Sequence, residues 1–176
     1  MFTLGILTIS DRGSRGERED ESGKAIEELL AALDTRLVKY DIVPDEREVI
    51  SGRLRQWADE EGIDLIVTTG GTGLSPRDVT PEATLAVVDK VAPGFAEAMR
   101  AESLKKTPRA MLSRAVAGIR GGSLIINLPG SPRGVRECLE VILPTLPHAI
   151  EVLKGEAVEC GEGEKKAGEC GESVKK

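Results

Sequence analysis

Residues 64–84, Asp-Leu-Ile-Val-Thr-Thr-Gly-Gly-Thr-Gly-Leu-Ser-Pro-Arg-Asp-Val-Thr-Pro-Glu-Ala-Thr, constrain the fold more than any other stretch of the chain. Leu65-Ile66-Val67-Thr68 is an unbroken apolar, β-branched run, the pattern of a buried strand. Gly70-Gly71-Thr72-Gly73 then breaks it, and Thr80-Pro81 restarts the chain as a helix, with proline at a favoured first-turn position. A strand, a glycine turn and a helix start place bare backbone N–H groups where an anion can meet them. Asp78 lies in the same loop and sets a carboxylate beside that cradle. Two readings follow: a plain tight turn, or a phosphate site worked with a divalent metal. The loop is neither a Walker A sequence nor a Gly-x-Gly-x-x-Gly dinucleotide turn.

The rest of the chain repeats the same alternation. Thr3–Ser10 reads as a first strand, and Asp11–Glu21 as a polar loop. A helix begins at Glu21 or Ser22, with Ala25, Ile26, Leu29, Leu30 and Leu33 at helical spacing. Arg36–Val43 is a second strand, followed after Pro44-Asp45 by a helix over Glu46–Glu61. Leu65–Thr69 is the third strand. Helices are expected from Pro81 to about Val91, over Phe95–Lys106, and from Ser131-Pro132 to about Leu143, with a last one over Pro144–Lys154. Ala115–Arg120 and Ser123–Leu128 flank Gly121-Gly122 at hairpin spacing. The fold class is therefore α/β: a doubly wound, mainly parallel sheet with helices on both faces and one antiparallel hairpin strand. In such sheets ligands bind outside the carboxyl ends of the strands. The loops at Ser10-Asp11, Pro44-Asp45, Gly70–Asp78 and Pro129–Pro132 all follow strands and should gather at one edge.

Composition narrows the function. A net charge of −6, with no dominant Lys/Arg cluster, argues against non-specific nucleic-acid binding. No apolar run reaches the roughly 18 residues of a membrane span, and the amino terminus lacks a signal-peptide pattern, so the expected compartment is the cytoplasm. Residues 1–154 read as one domain. Residues 155–176, rich in Gly, Glu and Lys and holding Cys160 and Cys170, read as a flexible tail. The chain has a single asparagine, Asn127, which singles it out for a specific hydrogen-bonding task. Asp45 is either a helix N-cap or a partner of Asp78 in holding Mg²⁺ through oxygen ligands. Arg77, Arg114, Arg133, Lys105 and Lys106 are candidate phosphate partners.

Seven segments in order carry a resemblance: Thr8-Ile-Ser-Asp11-Arg, Val43-Pro-Asp45-Glu, Thr68-Thr-Gly-Gly-Thr-Gly73, Arg77-Asp78-Val-Thr-Pro-Glu-Ala-Thr84, Pro93-Gly94-Phe, Leu112-Ser-Arg114 and Asn127-Leu-Pro-Gly130. Over roughly residues 2–155 the chain resembles the molybdopterin adenylyltransferase family of molybdenum cofactor biosynthesis, whose domain is also fused into larger proteins such as gephyrin. The resemblance implies a homotrimer that transfers AMP from ATP to the terminal phosphate of molybdopterin, with Mg²⁺ and release of pyrophosphate. A hand-off to a molybdate-inserting protein would follow. It implies Asp45 and Asp78 as the catalytic carboxylates and Ser103 on the pterin side. Ser10, Asp11, Gly70, Gly71, Thr72, Gly73, Asn127, Pro129, Gly130 and Ser131 would line the phosphates, with Arg114 a candidate pyrophosphate partner by its charge. No insertion precedes the last helix, as in compact relatives, some of which bind the pterin but lack adenylylation; retention of both carboxylates favours the enzyme. The alternatives are a non-catalytic molybdopterin-binding or oligomerising module of the same pathway, and a generic phosphate-binding protein.

Overall fold

A computed structural model describes residues 1–156. Its strands are β1 (Phe2–Ile9), β2 (Thr35–Val43), β3 (Leu65–Thr69), β4 (Lys90–Val91), β5 (Ala117–Arg120) and β6 (Ser123–Leu128). They form one sheet in the order β2-β1-β3-β6-β5-β4. The first four in that order are mutually parallel, and β5 runs antiparallel to both of its neighbours. The expected single reversed strand is thus β5.

Alternation along the strands feeds two cores, since successive side chains point to opposite faces. Leu4 and Ile6, Leu65 and Val67, and Leu124, Ile126 and Leu128 pack on one side. They meet α2 (Glu21–Leu30), α5 (Pro93–Leu104), α6 (Pro132–Ile142) and α7 (Leu146–Lys154). Leu7, Ile9, Ile66 and Ile125 pack on the other side. Their partners are α3 (Arg47–Arg55) and α4 (Thr80–Leu85). Each fully buried Leu or Ile contributes about 1.5–3 kcal/mol of transfer free energy, so both faces of the sheet are strongly driven to stay covered.

Three local expectations change. The helix placed over 46–61 is α3 followed by a π-helical turn, Gln56–Glu60. That widened turn lays Trp57 against Gly5, where a Cβ would sit 2.9 Å from the indole ring. The helix expected to reach Val91 stops at Leu85, and Lys90–Val91 pairs with β5 instead. The sheet edge wins because the Asp89 N–H donates to Ile119 O at 2.7 Å and Arg120 Nη1 donates to Val87 O at 2.7 Å, which draws the chain out of the helix. The polar loop after β1 contains a short helical turn, α1 (Asp11–Ser14). At the other end α7 finishes at Gly155, whose φ of +72° is the left-handed stop that suits glycine. The tail with Cys160 and Cys170 lies outside the described residues.

Candidate functional site

The chain leaves β1 for β2 on one side and returns to β3 on the other, so the order of connections reverses at the β1/β3 boundary. That switch point is where doubly wound sheets open a crevice. A cleft of about 240 Å³ lies there, lined by Ser10, Asp20, Asp45, Gly70, Gly71 and Gly130 among others. Strand-end loops from β1, β2, β3 and β6 meet in it, as their positions in the sequence required.

The loops after β1 and β2 hold each other through their backbones. The Asp11 N–H donates to Asp45 Oδ2, and the Asp45 N–H donates to Asp11 Oδ1, both at 3.0 Å. Asp45 is therefore not the cap of α3, which begins after Glu46 without a side-chain cap. Arg77, from the third loop, grips Asp11 with Nε at 3.1 Å and Nη2 at 2.7 Å, a forked pair. That guanidinium holds the Asp11 carboxyl below the ordinary carboxylate range. Asp45 is pushed upward, chiefly by burial, with the Asp11 and Asp78 carboxylates adding to it. A buried carboxylate in this state gains from a cation placed beside it.

Gly70-Gly71-Thr72-Gly73 turns away from β3 with φ of +100° at Gly70 and +63° at Gly71. A Cβ at Gly70 would collide with the Ile9 carbonyl oxygen, and one at Gly71 would sit 3.1 Å from Asp45 Oδ1. Among the described residues no protein acceptor takes the N–H of Gly71, Thr72 or Gly73. These open donors make the cradle. The helix start does not add to it: the Thr80 N–H is taken by Gly71 O at 3.1 Å, and Pro81 has none. Asp78 Oδ2 accepts the Ser75 N–H at 2.8 Å and lies 2.9 Å from where a Gly73 Cβ would be. Asp45 and Asp78 thus flank the same glycine turn.

A second cleft of about 200 Å³ opens on the far side of the loop after β6. Ser103 lines it with Arg100, Arg109, Ser131, Glu137 and Cys138. The Ser103 hydroxyl lies 3.8 Å from Cys138 Sγ, whose thiol is raised by burial. Pro129-Gly130-Ser131 is the wall between the clefts, with Gly130 facing the first and Pro129 and Ser131 the second. Main-chain carbonyls fix that wall. Ser22 Oγ donates to Gly130 O at 2.8 Å, and Thr69 Oγ1 donates to Pro129 O at 2.6 Å. Ser131 accepts the Gly134 N–H at 3.1 Å and caps α6.

Two expected ligand-lining residues do other work. Asn127 is 0% exposed and cannot reach a ligand. Its amide donates to Thr68 Oγ1 and Thr84 Oγ1, both at 2.9 Å, and its Oδ1 accepts the Val116 N–H at 3.3 Å. Arg114 turns its guanidinium onto the carbonyls of Gly73 and Asp78 and onto Glu82. The sequence reading missed Asp20, which caps α2 through Gly23 N–H at 2.9 Å and reaches the first cleft. Its Oδ2 accepts hydroxyls from Thr8 and Tyr40, each at 2.5 Å. The one available signal was an Asp three residues before Gly23, at N-cap spacing.

This is a doubly wound α/β fold with two clefts divided by the loop after β6. A family model described as "Probable molybdopterin binding domain" matches residues 5–148, and the chain belongs to that family. A protein of Helicobacter pylori J99 named molybdopterin adenylyltransferase is 50% identical over 161 residues, 90% of this chain and 92% of its own. The molybdopterin adenylyltransferase of Escherichia coli K12 is 43% identical over 170 residues, covering 89% and 87%. Among solved structures, the molybdopterin biosynthesis enzyme MoaB of Thermus thermophilus superposes with a TM-score of 0.84 at 57% identity, covering 88% of this chain and 98% of that one.

Proposed function

We propose that the chain is a molybdopterin adenylyltransferase of molybdenum cofactor biosynthesis. The observation that carries this reading is the pair of clefts meeting at one glycine-built wall, with Asp45 and Asp78 beside the open N–H groups of the glycine turn. ATP would lie against Gly70–Gly73 in the first cleft, and the pterin would occupy the second beside Ser103. A terminal phosphate oxygen of molybdopterin attacks the α-phosphorus of ATP. That P–O bond forms as the α–β bridging bond breaks, and the bonding pair leaves with pyrophosphate. No side-chain nucleophile is needed. The residues act by alignment and by stabilising charge at the transferring phosphoryl group.

Mg²⁺ belongs to the same proposal. Among the described residues no three His, Cys, Asp or Glu side chains converge on an ion, but Mg²⁺ characteristically takes one or two carboxylates and completes its shell with phosphate oxygens and water. Asp45, with Oδ1 facing the space a Gly71 Cβ would fill, and Asp78 suit that donor set. These two would hold the ion, which when bound supplies charge neutralisation on the phosphates. A homotrimeric assembly, a cytoplasmic site of action and hand-off of the product to a molybdate-inserting protein complete the proposal. Among the described residues no helix is long and apolar enough to cross a membrane.

The test is pyrophosphate release from Mg·ATP, with and without molybdopterin, for wild type and Asp78→Ala. Molybdopterin-dependent release that the substitution lowers by at least about 10²-fold is expected, on the scale of one lost electrostatic contact to the transition state. Molybdopterin binding without release by the wild type would replace this reading with a non-catalytic carrier.

A further inference from the structure

All three nitrogens of the Arg114 guanidinium are spent on the loop that carries Asp78 and on the helix α4 that follows it. Nε donates to Gly73 O and Nη2 to Asp78 O, each at 2.7 Å, and Nη1 pairs with Glu82 Oε1. The Arg114 backbone N–H adds a bond to Thr72 O at 2.9 Å. One residue therefore grips the loop before, at and after the carboxylate.

The neighbouring Arg77 ties the loop to the end of β1 through its forked pair with Asp11, but it holds a side chain and leaves the Gly73 and Asp78 carbonyls to Arg114. The Ser75 N–H bond to Asp78 Oδ2 and the Asp78 N–H bond to Ser75 O, at 2.9 Å, shape the turn internally. Thr80 anchors the far end, with Oγ1 donating to Gly70 O at 2.8 Å. Glu82 Oε2 is buried without a hydrogen-bond partner, so Arg114 is what fixes that side chain through its other oxygen. Arg114 itself follows the 3₁₀ turn Pro108–Leu112 and precedes β5, so it reaches the loop from a different part of the chain.

We propose that Arg114 is a positioning residue for adenylyl transfer: it holds the Asp78 carboxylate at the glycine turn by gripping the loop carbonyls, and touches no phosphate. This rests on the reading above, in which Asp78 serves the chemistry. The planar fork explains the residue type. Three acceptors in different directions match a guanidinium, whereas a lysine presents one ammonium on a flexible stem.

The experiment is a double-mutant cycle on molybdopterin-dependent AMP transfer, using the full chain with Arg114→Ala, Asp78→Ala and both together. Arg114→Ala is expected to lower kcat by about 10²-fold, the scale of a 1 Å displacement of a catalytic group. KM for ATP should change by less than about threefold. In the Asp78→Ala background the same substitution should cost less than about threefold, because the residue it positions is gone. Arg114→Lys should not restore kcat. Equal losses in both backgrounds, as a merely structural role gives, would overturn the proposal. So would a large rise in KM for ATP at unchanged kcat, which would make Arg114 a phosphate ligand. Amide hydrogen exchange at the hydrogen-bonded amides of residues 75–80 provides an arm independent of activity: Arg114→Ala should speed exchange there while the strands keep their protection, and unchanged exchange would overturn the proposal. An inactive wild type would sink the adenylyltransferase reading, while the exchange arm would still judge the grip of Arg114.

Discussion

Replacing Asn127 by alanine should destabilise the fold heavily while leaving both clefts lined as before. The side chain is fully enclosed and joins β6 to Thr68 on β3, to Thr84 on α4 and to the Val116 N–H ahead of β5. Two of these bonds, at 2.9 Å, have good length, and a typical intramolecular hydrogen bond contributes about 1 kcal/mol net. The third is longer, but its loss leaves a backbone N–H unpaired, a penalty of about 1–3 kcal/mol. The sum is about 3–5 kcal/mol, a large part of the roughly 5–15 kcal/mol that holds a domain folded. The assay is equilibrium urea unfolding followed by fluorescence of Trp57, the single tryptophan, which is 1% exposed in the folded chain. A loss below about 1 kcal/mol at unchanged m-value would refute the reasoning, since buried polar groups left without partners cannot be that cheap. A second arm sharpens it. Adding Thr68→Val and Thr84→Val to the alanine variant should recover part of the loss, because apolar replacement of both partners removes the orphaned hydroxyls.

Two further outcomes concern titration. Burial raises the Asp45 pKa above its ordinary 3.8, so the folded state holds that proton more tightly than the unfolded chain; its contribution to stability is fully present below 3.8 and lost as pH rises through the folded pKa. Asp45→Asn should flatten that fall in urea midpoint against pH, and an unchanged slope would show that Asp45 does not cause it. The single tyrosine, Tyr40, is raised by burial and by its bond to Asp20, so phenolate absorbance should appear only well above pH 10 in the native protein and move down toward the ordinary value in Asp20→Ala.

Much of the architecture was legible because it is written locally. The runs at Leu65–Thr69 and Ser123–Leu128 can only be covered strands, and a glycine turn after a strand in an alternating chain must face the carboxyl edge. That logic brought Ser10, Asp45, Gly70, Gly71 and Gly130 to one cleft without any knowledge of contacts. What it could not give were roles decided by partners far along the chain. Asn127 sits in a segment whose neighbours Pro129 and Gly130 do line the clefts, but its own side chain follows strand alternation inward to Thr68 and Thr84. Arg114 reads as one more surface cation until the carbonyls of Gly73 and Asp78, more than 30 residues earlier, are seen beside it. Local propensity also misjudged Lys90–Val91, where an open sheet edge outcompeted helix continuation.

The wall between the clefts is main chain at its thinnest point: a Cβ on Gly130 would lie 3.3 Å from the Gly70 backbone. A partition that narrows to a single glycine offers inhibitor chemistry an opening. On the proposed assignment of the clefts, a single molecule carrying a nucleotide-like head for one chamber and a pterin-like head for the other needs only a short bridge over the rim at Ser131. It would surrender its translational freedom once instead of twice, so its two halves would bind as one tethered ligand. Resistance would be hard to gain at the bridge, where a side chain on Gly130 would press on the Gly70 backbone, and would have to arise in the outer linings at Arg18, Glu19 or Arg109.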